Sequence, residues 1–170
     1  MDETTKELLA ALRQAMTAER TGHTFYSMAA QNTADPTGKE AFLQLAREET
    51  EHFQFLAAHY KSLVDRGVLS PTAKLRSHGD VMGDSPIFSE ALRERIADAH
   101  FEMSALSIAV QLELNGIQYY REQAAKAKLP AVKKLFEELA AWESSHYDAL
   151  LRQQQALQDE YWSTAGFEPF

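Results

Sequence analysis

Six residues carry the chemistry this sequence could do: Glu19, Glu49, His52, Glu113, Glu143 and His146. They form two matching sets, each a lone glutamate followed 30 residues later by Glu-x-x-His. A shift of 94 residues lays the first set on the second, and the agreement extends well beyond the six. Between residues 11 and 56 that shift gives 15 identities in 46 ungapped positions, among them Gly22 with Gly116, Tyr26 with Tyr120, Pro36 with Pro130 and Phe42 with Phe136. Chance would give only a few, so the sequence reads as an internal duplication of a two-helix unit.

The chemistry such a set implies is metal binding. Residues three apart on a helix share a face, about 4.5 Å apart along the axis, so Glu49 with His52, and Glu143 with His146, can hold one centre together. All six sit on the apolar stripe of their helix: Glu49 follows Leu45, His52 precedes Leu56, and Glu19 lies between Ala15 and Gly22. Four carboxylates turned into one core would each cost several kcal/mol and would repel one another. The stripes carry no Lys or Arg at these levels. Two divalent cations would balance four carboxylates, and ions about 3.5–4 Å apart could share a bridging carboxylate from each Glu-x-x-His helix. One histidine and one terminal glutamate per metal would remain. Oxygen and imidazole donors suit iron or manganese, and the lack of sulfur disfavours copper(I) and structural zinc. A single Glu-x-x-His is a weak signal, since most are solvated surface pairs; two copies in register, each with its glutamate, are a strong one.

The other ionisable residues lack this repetition. His59 pairs with Gln153 and reads as a polar residue at the bundle end. His23, His78 and His100 have no histidine counterpart and read as surface or locally satisfied histidines, and Glu48 and Glu51, opposite Trp142 and Ser145, as solvated. Tyr26 and Tyr120 lie two turns beyond the lone glutamates. Each is either a core tyrosine bonded locally or a donor to a ligand on a neighbouring helix, or a redox-active group near the metals. Gly22 and Gly116 cost roughly 1 kcal/mol each in a helix interior; they leave room either for a small oxidant or for close helix approach.

Four helices must position these groups. The first is expected over 3–32, with stripe Leu8, Leu12, Ala15, Glu19, Gly22, Tyr26, Ala29. Asp35 should cap the second helix, with Pro36 in its first turn, and Gly67 should end it after Arg66. From 67 to 101, glycines and prolines break the pattern, with a short helix expected near 86–97. Ile87, Phe88, Leu92 and Ile96 make this stretch too apolar to be left in water. The third helix is expected at about 102–127 and the fourth at about 131–160, followed by an aromatic tail over 161–170 that should pack on the bundle or on a second subunit. Short links within each pair and a long crossover between the second and third helices define an all-α four-helix bundle, in one domain over 1–170.

Composition narrows the function classes. The chain has 170 residues, 45% of them hydrophobic and 25% charged, as in an ordinary globular domain. It has no cysteine, hence no disulfide framework, thiolate metal site or Cys nucleophile. A formal charge of −8 argues against a nucleic-acid or anionic-membrane partner. No apolar run approaches a membrane span, and the acidic N-terminus is unlike a targeting signal, so a cytoplasmic protein is expected.

The set Glu19, Glu49-x-x-His52, Glu113, Glu143-x-x-His146 resembles that of ferritin-like di-iron carboxylate proteins, whose ligand pattern on a four-helix bundle is a standard one. The flanking Ala18-Glu19, Phe25-Tyr26 and Phe136-x-x-Leu139-Ala140 are most similar to the rubrerythrin branch. The resemblance implies a ferritin-like fold, two iron ions (manganese being the other candidate), and an oxidoreductase that reduces hydrogen peroxide or dioxygen. Its electrons would come from an external donor such as a rubredoxin-like protein, because the rubredoxin-type four-cysteine site of rubrerythrins is missing here. A homodimer or larger homo-oligomer is expected. Rubrerythrins also carry a glutamate where this chain has Gly116, and the six-ligand set that remains is similar to bacterioferritin's. Two alternatives therefore stand beside the peroxidase: a ferroxidase that feeds a mineral store in its own cage or a partner's shell, and a non-enzymatic helical adaptor.

Overall fold

The computed structural model of the chain describes residues 2–75 and 86–165. Its elements are α1 (Glu3–Asn32), α2 (Pro36–Arg66), α3 (Glu90–Arg93), a 3₁₀ turn (Ile96–Asp98), α4 (His100–Lys126) and α5 (Pro130–Ala165). The four long helices lie where the sequence puts them, and their ends follow the expected local chemistry. Asp35 accepts the Gly38 N–H at 2.8 Å as the cap of α2, which begins at Pro36. Gly67 ends α2 with φ +72°, a left-handed conformation that glycine adopts without strain. Helix α5 runs further than expected, to Ala165, because no glycine or proline interrupts 131–165 and Gln, Ala and Leu favour the helix. Tyr161 is thus helical and packs partly buried against the core; Gly79, Gly83, His78, Phe167 and Phe170 lie outside the described residues.

Helices α1 and α2 pack as one pair and α4 and α5 as the other. Two apolar clusters fill the bundle. One holds Tyr26, Phe42, Leu45, Leu106, Leu150 and Leu157; the other holds Leu12, Leu56, Tyr120, Phe136 and Leu139. Helix directions follow from which cluster each helix meets first. Going N to C, α2 and α4 leave the first cluster for the second, whereas α1 and α5 run the opposite way. Helices α2 and α4 are therefore parallel, which requires the long connection between them. The duplication repeats in the packing: Tyr26 stacks on Phe42 with centroids 6.4 Å apart, and Tyr120 on Phe136 at 6.2 Å.

From residue 86 onward the crossover is seated on the bundle end, as its apolar content requires. Ile87, Phe88, Leu92 and Ile96 are all buried in the first cluster. Asp35 receives the Ser89 N–H at 3.1 Å and also the Ser89 hydroxyl, so one carboxylate caps α2 and anchors the crossover. The Ile87 N–H reaches Gln153 Oε1 at 3.0 Å and Arg93 Nε donates to Glu160 Oε2 at 2.8 Å, tying it to α5. Among the described residues no helix is long and apolar enough to cross a membrane.

Gly38 makes the closest seat. A Cβ there would stand 2.5 Å from Phe88 Cε1, inside van der Waals contact, so the buried ring would have to move. Gly38→Ala is expected to destabilise the protein by about 1–3 kcal/mol despite alanine's better helix propensity. Urea unfolding of the two proteins checks this, and a gain in stability would contradict the seating.

Candidate metal centre

The six residues singled out by the repeat meet in one layer between the two apolar clusters. Helix α1 brings Glu19, α2 brings Glu49 and His52, α4 brings Glu113, and α5 brings Glu143 and His146; none is more than 4% exposed. Their donor atoms fall into two groups that could each hold a metal ion: Glu19, Glu49, His52 and Glu143, and Glu49, Glu113, Glu143 and His146. Glu49 and Glu143 belong to both, while each group has its own histidine and its own lone glutamate. His52 Nδ1 lies 3.1 Å from Glu143 Oε1, 3.2 Å from Glu19 Oε2 and 3.8 Å from Glu49 Oε2. His146 Nδ1 lies 3.5 Å from Glu143 Oε2 and 3.7 Å from Glu113 Oε2. The two imidazoles are nearly parallel, with centroids 5.8 Å apart.

Without cations, protons must offset the crowded charge. Burial, then the neighbouring Glu19 and Glu143, holds Glu49 well above the usual carboxylate range. Burial and then Glu143 push Glu113 up to about 8. Burial alone would lower His52 and His146, but the carboxylates facing them outweigh it and hold both well above the ordinary imidazole value. Burial would likewise raise Glu143, yet His52 and His146 overcome it and keep it ionised, well below its ordinary value. The layer thus retains protons that incoming cations would displace. Glu143 Oε1 has the charged His52 Nδ1 at 3.1 Å and His146 Nδ1 has Glu143 Oε2 at 3.5 Å, but neither buried atom makes a hydrogen bond, so both can take a further partner. Four carboxylates and two imidazoles with unsatisfied donor atoms fit two divalent cations of oxygen-and-nitrogen preference.

The two tyrosines resolve in favour of donation across the bundle. The Tyr26 hydroxyl donates to Glu113 Oε1 and the Tyr120 hydroxyl to Glu19 Oε1, so each repeat's tyrosine holds the lone glutamate of the other. Burial first, and then the partnered carboxylate, keeps both phenols well above their ordinary pKa, hence as donors. Between α1 and α4 a cavity of about 570 Å³ leads from exposed Thr17, Thr21 and Asn115 to Glu19, Glu49, Glu113 and Glu143. Gly22 and Gly116 line it. A Cβ on Gly22 would lie 3.0 Å from Glu49 Cδ, so this glycine leaves space for the carboxylate itself; a Cβ on Gly116 would meet Glu143 Cγ at an ordinary 3.5 Å.

The remaining histidines stand apart from both groups. His59 is buried at the bundle end, where its Nδ1 accepts the Ser70 N–H at 3.2 Å. His23 Nδ1 bonds the Ala46 carbonyl at 2.9 Å, and His100 is exposed. Glu48 departs from expectation. Its side chain is 12% exposed rather than solvated, and its Oε2 accepts the His146 Nε2–H at 2.7 Å. The repeat hid it, because its counterpart is Trp142, and its partner lies 98 residues away on another helix. Glu102, buried in the first turn of α4 and bonded by the Thr33 hydroxyl at 2.7 Å, was also unforeseen and lies outside the two groups.

Two antiparallel helix pairs joined by a long crossover, with a duplicated carboxylate–imidazole layer between them, define a ferritin-like protein with a site for two metal ions. Sequence comparison gives the family: the rubrerythrin profile matches residues 10–105 and 104–165, and the chain belongs to the rubrerythrin family. Neither the curated proteins nor the solved structures gave a significant match.

Two outcomes follow from the layer. Between pH 4.5 and about 8 the folded protein keeps a Glu113 proton that the unfolded chain has lost, and above 6.5 the same holds for His52 and His146. Stability of the metal-free protein should therefore fall as pH rises from 6.5 to 9, by on the order of 5 °C in melting temperature. Saturating Mn(II) should flatten that slope in thermal melts, and a metal-free melting point that rises with pH would contradict the assignment. Separately, Gly22→Ala should displace Glu49 and lower the metal content at fixed free metal, whereas Gly116→Ala should retain metal and gain up to about 1 kcal/mol of stability. Elemental analysis and melting of the two variants distinguish them.

Proposed function

We propose that the protein is a di-iron oxidoreductase that reduces hydrogen peroxide, with dioxygen as the slower oxidant, using electrons from an external donor protein. The observation that carries this reading is the buried layer with two shared and two unshared carboxylates, one imidazole per group, at the end of a cavity from solvent. Glu19 and His52 would hold one ion, Glu113 and His146 the other, and Glu49 and Glu143 would bridge. A bound pair of ferrous ions supplies two one-electron reductions, which with two protons take hydrogen peroxide to two waters.

This chain's residues do the rest. The cavity admits a small oxidant between α1 and α4 while the apolar clusters close the layer on either side along the bundle axis. Tyr26 and Tyr120 orient the unshared glutamates through their hydroxyls, and His52 and His146 would each hold one of the two ions beside them. The 170 residues hold no cysteine and so no rubredoxin-type iron site, which is why this reading takes the electrons from an external donor.

Gly116 favours one second reading, a ferroxidase that hands Fe(III) to a mineral store, because it removes a carboxylate that the peroxidase branch carries and leaves a bacterioferritin-like set. Anaerobic Fe(II) titration followed by parallel stopped-flow traces with peroxide and dioxygen tests both. Two Fe(II) per chain and faster oxidation by peroxide are expected. Oxidation no faster than that of free Fe(II) would overturn the peroxidase reading, and a cage-sized particle by size exclusion that oxidises several Fe(II) per site would favour the ferroxidase.

A further inference from the structure

We infer that Glu48 is a positioning residue that makes the two metal positions unequal, so that the ion beside His146 is held more tightly than the ion beside His52. The inference rests on the metal-binding reading above and goes beyond it.

Glu48 and Trp142 occupy equivalent places in the two repeats, four residues before His52 and four before His146. Each reaches the imidazole of the other repeat, and there the equivalence ends. His146 donates its Nε2–H to Glu48 Oε2 at 2.7 Å, while Gln44 Nε2 donates to Glu48 Oε1 at 3.3 Å and steadies the carboxylate. His52 instead stands edge-on to the Trp142 indole, with centroids 5.2 Å apart and planes at 85°. An indole has no oxygen or nitrogen acceptor to offer an imidazole N–H. Among the described residues, His52 Nε2 is buried with no hydrogen bond at all.

The difference bears directly on ligation. In either group the nitrogen facing the carboxylates is Nδ1, so binding a cation through it requires the proton on Nε2. For His146 that proton is already fixed by Glu48, the ring is oriented, and the carboxylate makes Nδ1 a better donor. The His146 Nδ1 atom faces Glu143 Oε2 at 3.5 Å and Glu113 Oε2 at 3.7 Å, on the side from which a cation would be held. The His52 Nε2–H meets no such acceptor, so no carboxylate orients that ring or strengthens its Nδ1 as a donor. Removing an outer carboxylate of this kind typically lowers metal affinity by about 10–100-fold.

Bridged pairs bind their two ions in sequence whatever their symmetry, so the test uses single-histidine variants titrated with Co(II) and read by its visible absorption. His52→Ala, which keeps the His146 position, should bind one Co(II) at least about 10-fold more tightly than His146→Ala. Adding Glu48→Ala should weaken binding about 10–100-fold in the His52→Ala background and leave the His146→Ala background nearly unchanged. Glu48→Gln keeps the shape and one accepting oxygen, and should give a smaller loss in the same background only, which carries the comparison should the alanine variant unfold. Equal affinities in the two single-histidine proteins, or a Glu48 substitution that weakens both alike, would overturn the inference. A wild-type protein that binds no Co(II) would overturn the metal reading itself, and this inference with it.

Discussion

In a bundle of this length one continuous apolar core would be the simplest packing. Here a layer of four carboxylates and two imidazoles divides the core in two, and the mutual compensation of those charges is the constraint that the rest of the fold accommodates. Desolvating one unpaired carboxylate costs several kcal/mol, comparable to a large part of a domain's net stability. The layer survives because each member has an assigned role: Glu143 stays ionised between two charged imidazoles, Glu49 and Glu113 keep their protons, and the tyrosines cover the two lone glutamates. The apolar clusters on either side then exclude water from it and keep its electrostatics strong.

The same constraint explains the pattern of contacts between the repeats. Each helix pair carries three of the six ionisable groups, so neither pair can bury its polar face alone. The tyrosine bonds run from each pair to the other, as does the contact of Glu48 with His146. The crossover must then be long enough to set α2 and α4 parallel, and its own apolar residues become the cap of the first cluster. Asp35 joins the two requirements, capping a helix of the first pair while holding Ser89 of the crossover.

Much of this was legible in the sequence because the duplication marks positions by repetition. Glu19, Glu49, His52 and their partners recur at one offset, so their joint burial could be argued before any coordinates. Helix ends were equally plain where a single residue decides them, as at Asp35, Pro36 and Gly67. Unread were the features that break the repeat or depend on how helices lie against each other. The partner of Tyr26 is 87 residues away, and only the packing of α1 on α4 selects Glu113 over a local acceptor. Glu48 looked solvated because its counterpart is a tryptophan, and Glu102 has no ionisable counterpart at all. The end of α5 was misplaced by a few residues because no breaker marks it before Gly166.

Joining the two halves in one chain has a consequence of its own. Had two identical hairpins associated about a rotation axis, any side chain placed near one imidazole would appear near both, and the two centres would be chemical twins. Covalent fusion lifts that bond, letting position 48 become glutamate while position 142 becomes tryptophan, without altering the helix geometry that brings the halves together. A single polypeptide can thus tune its two cation positions independently, a freedom that no homodimer of such hairpins possesses.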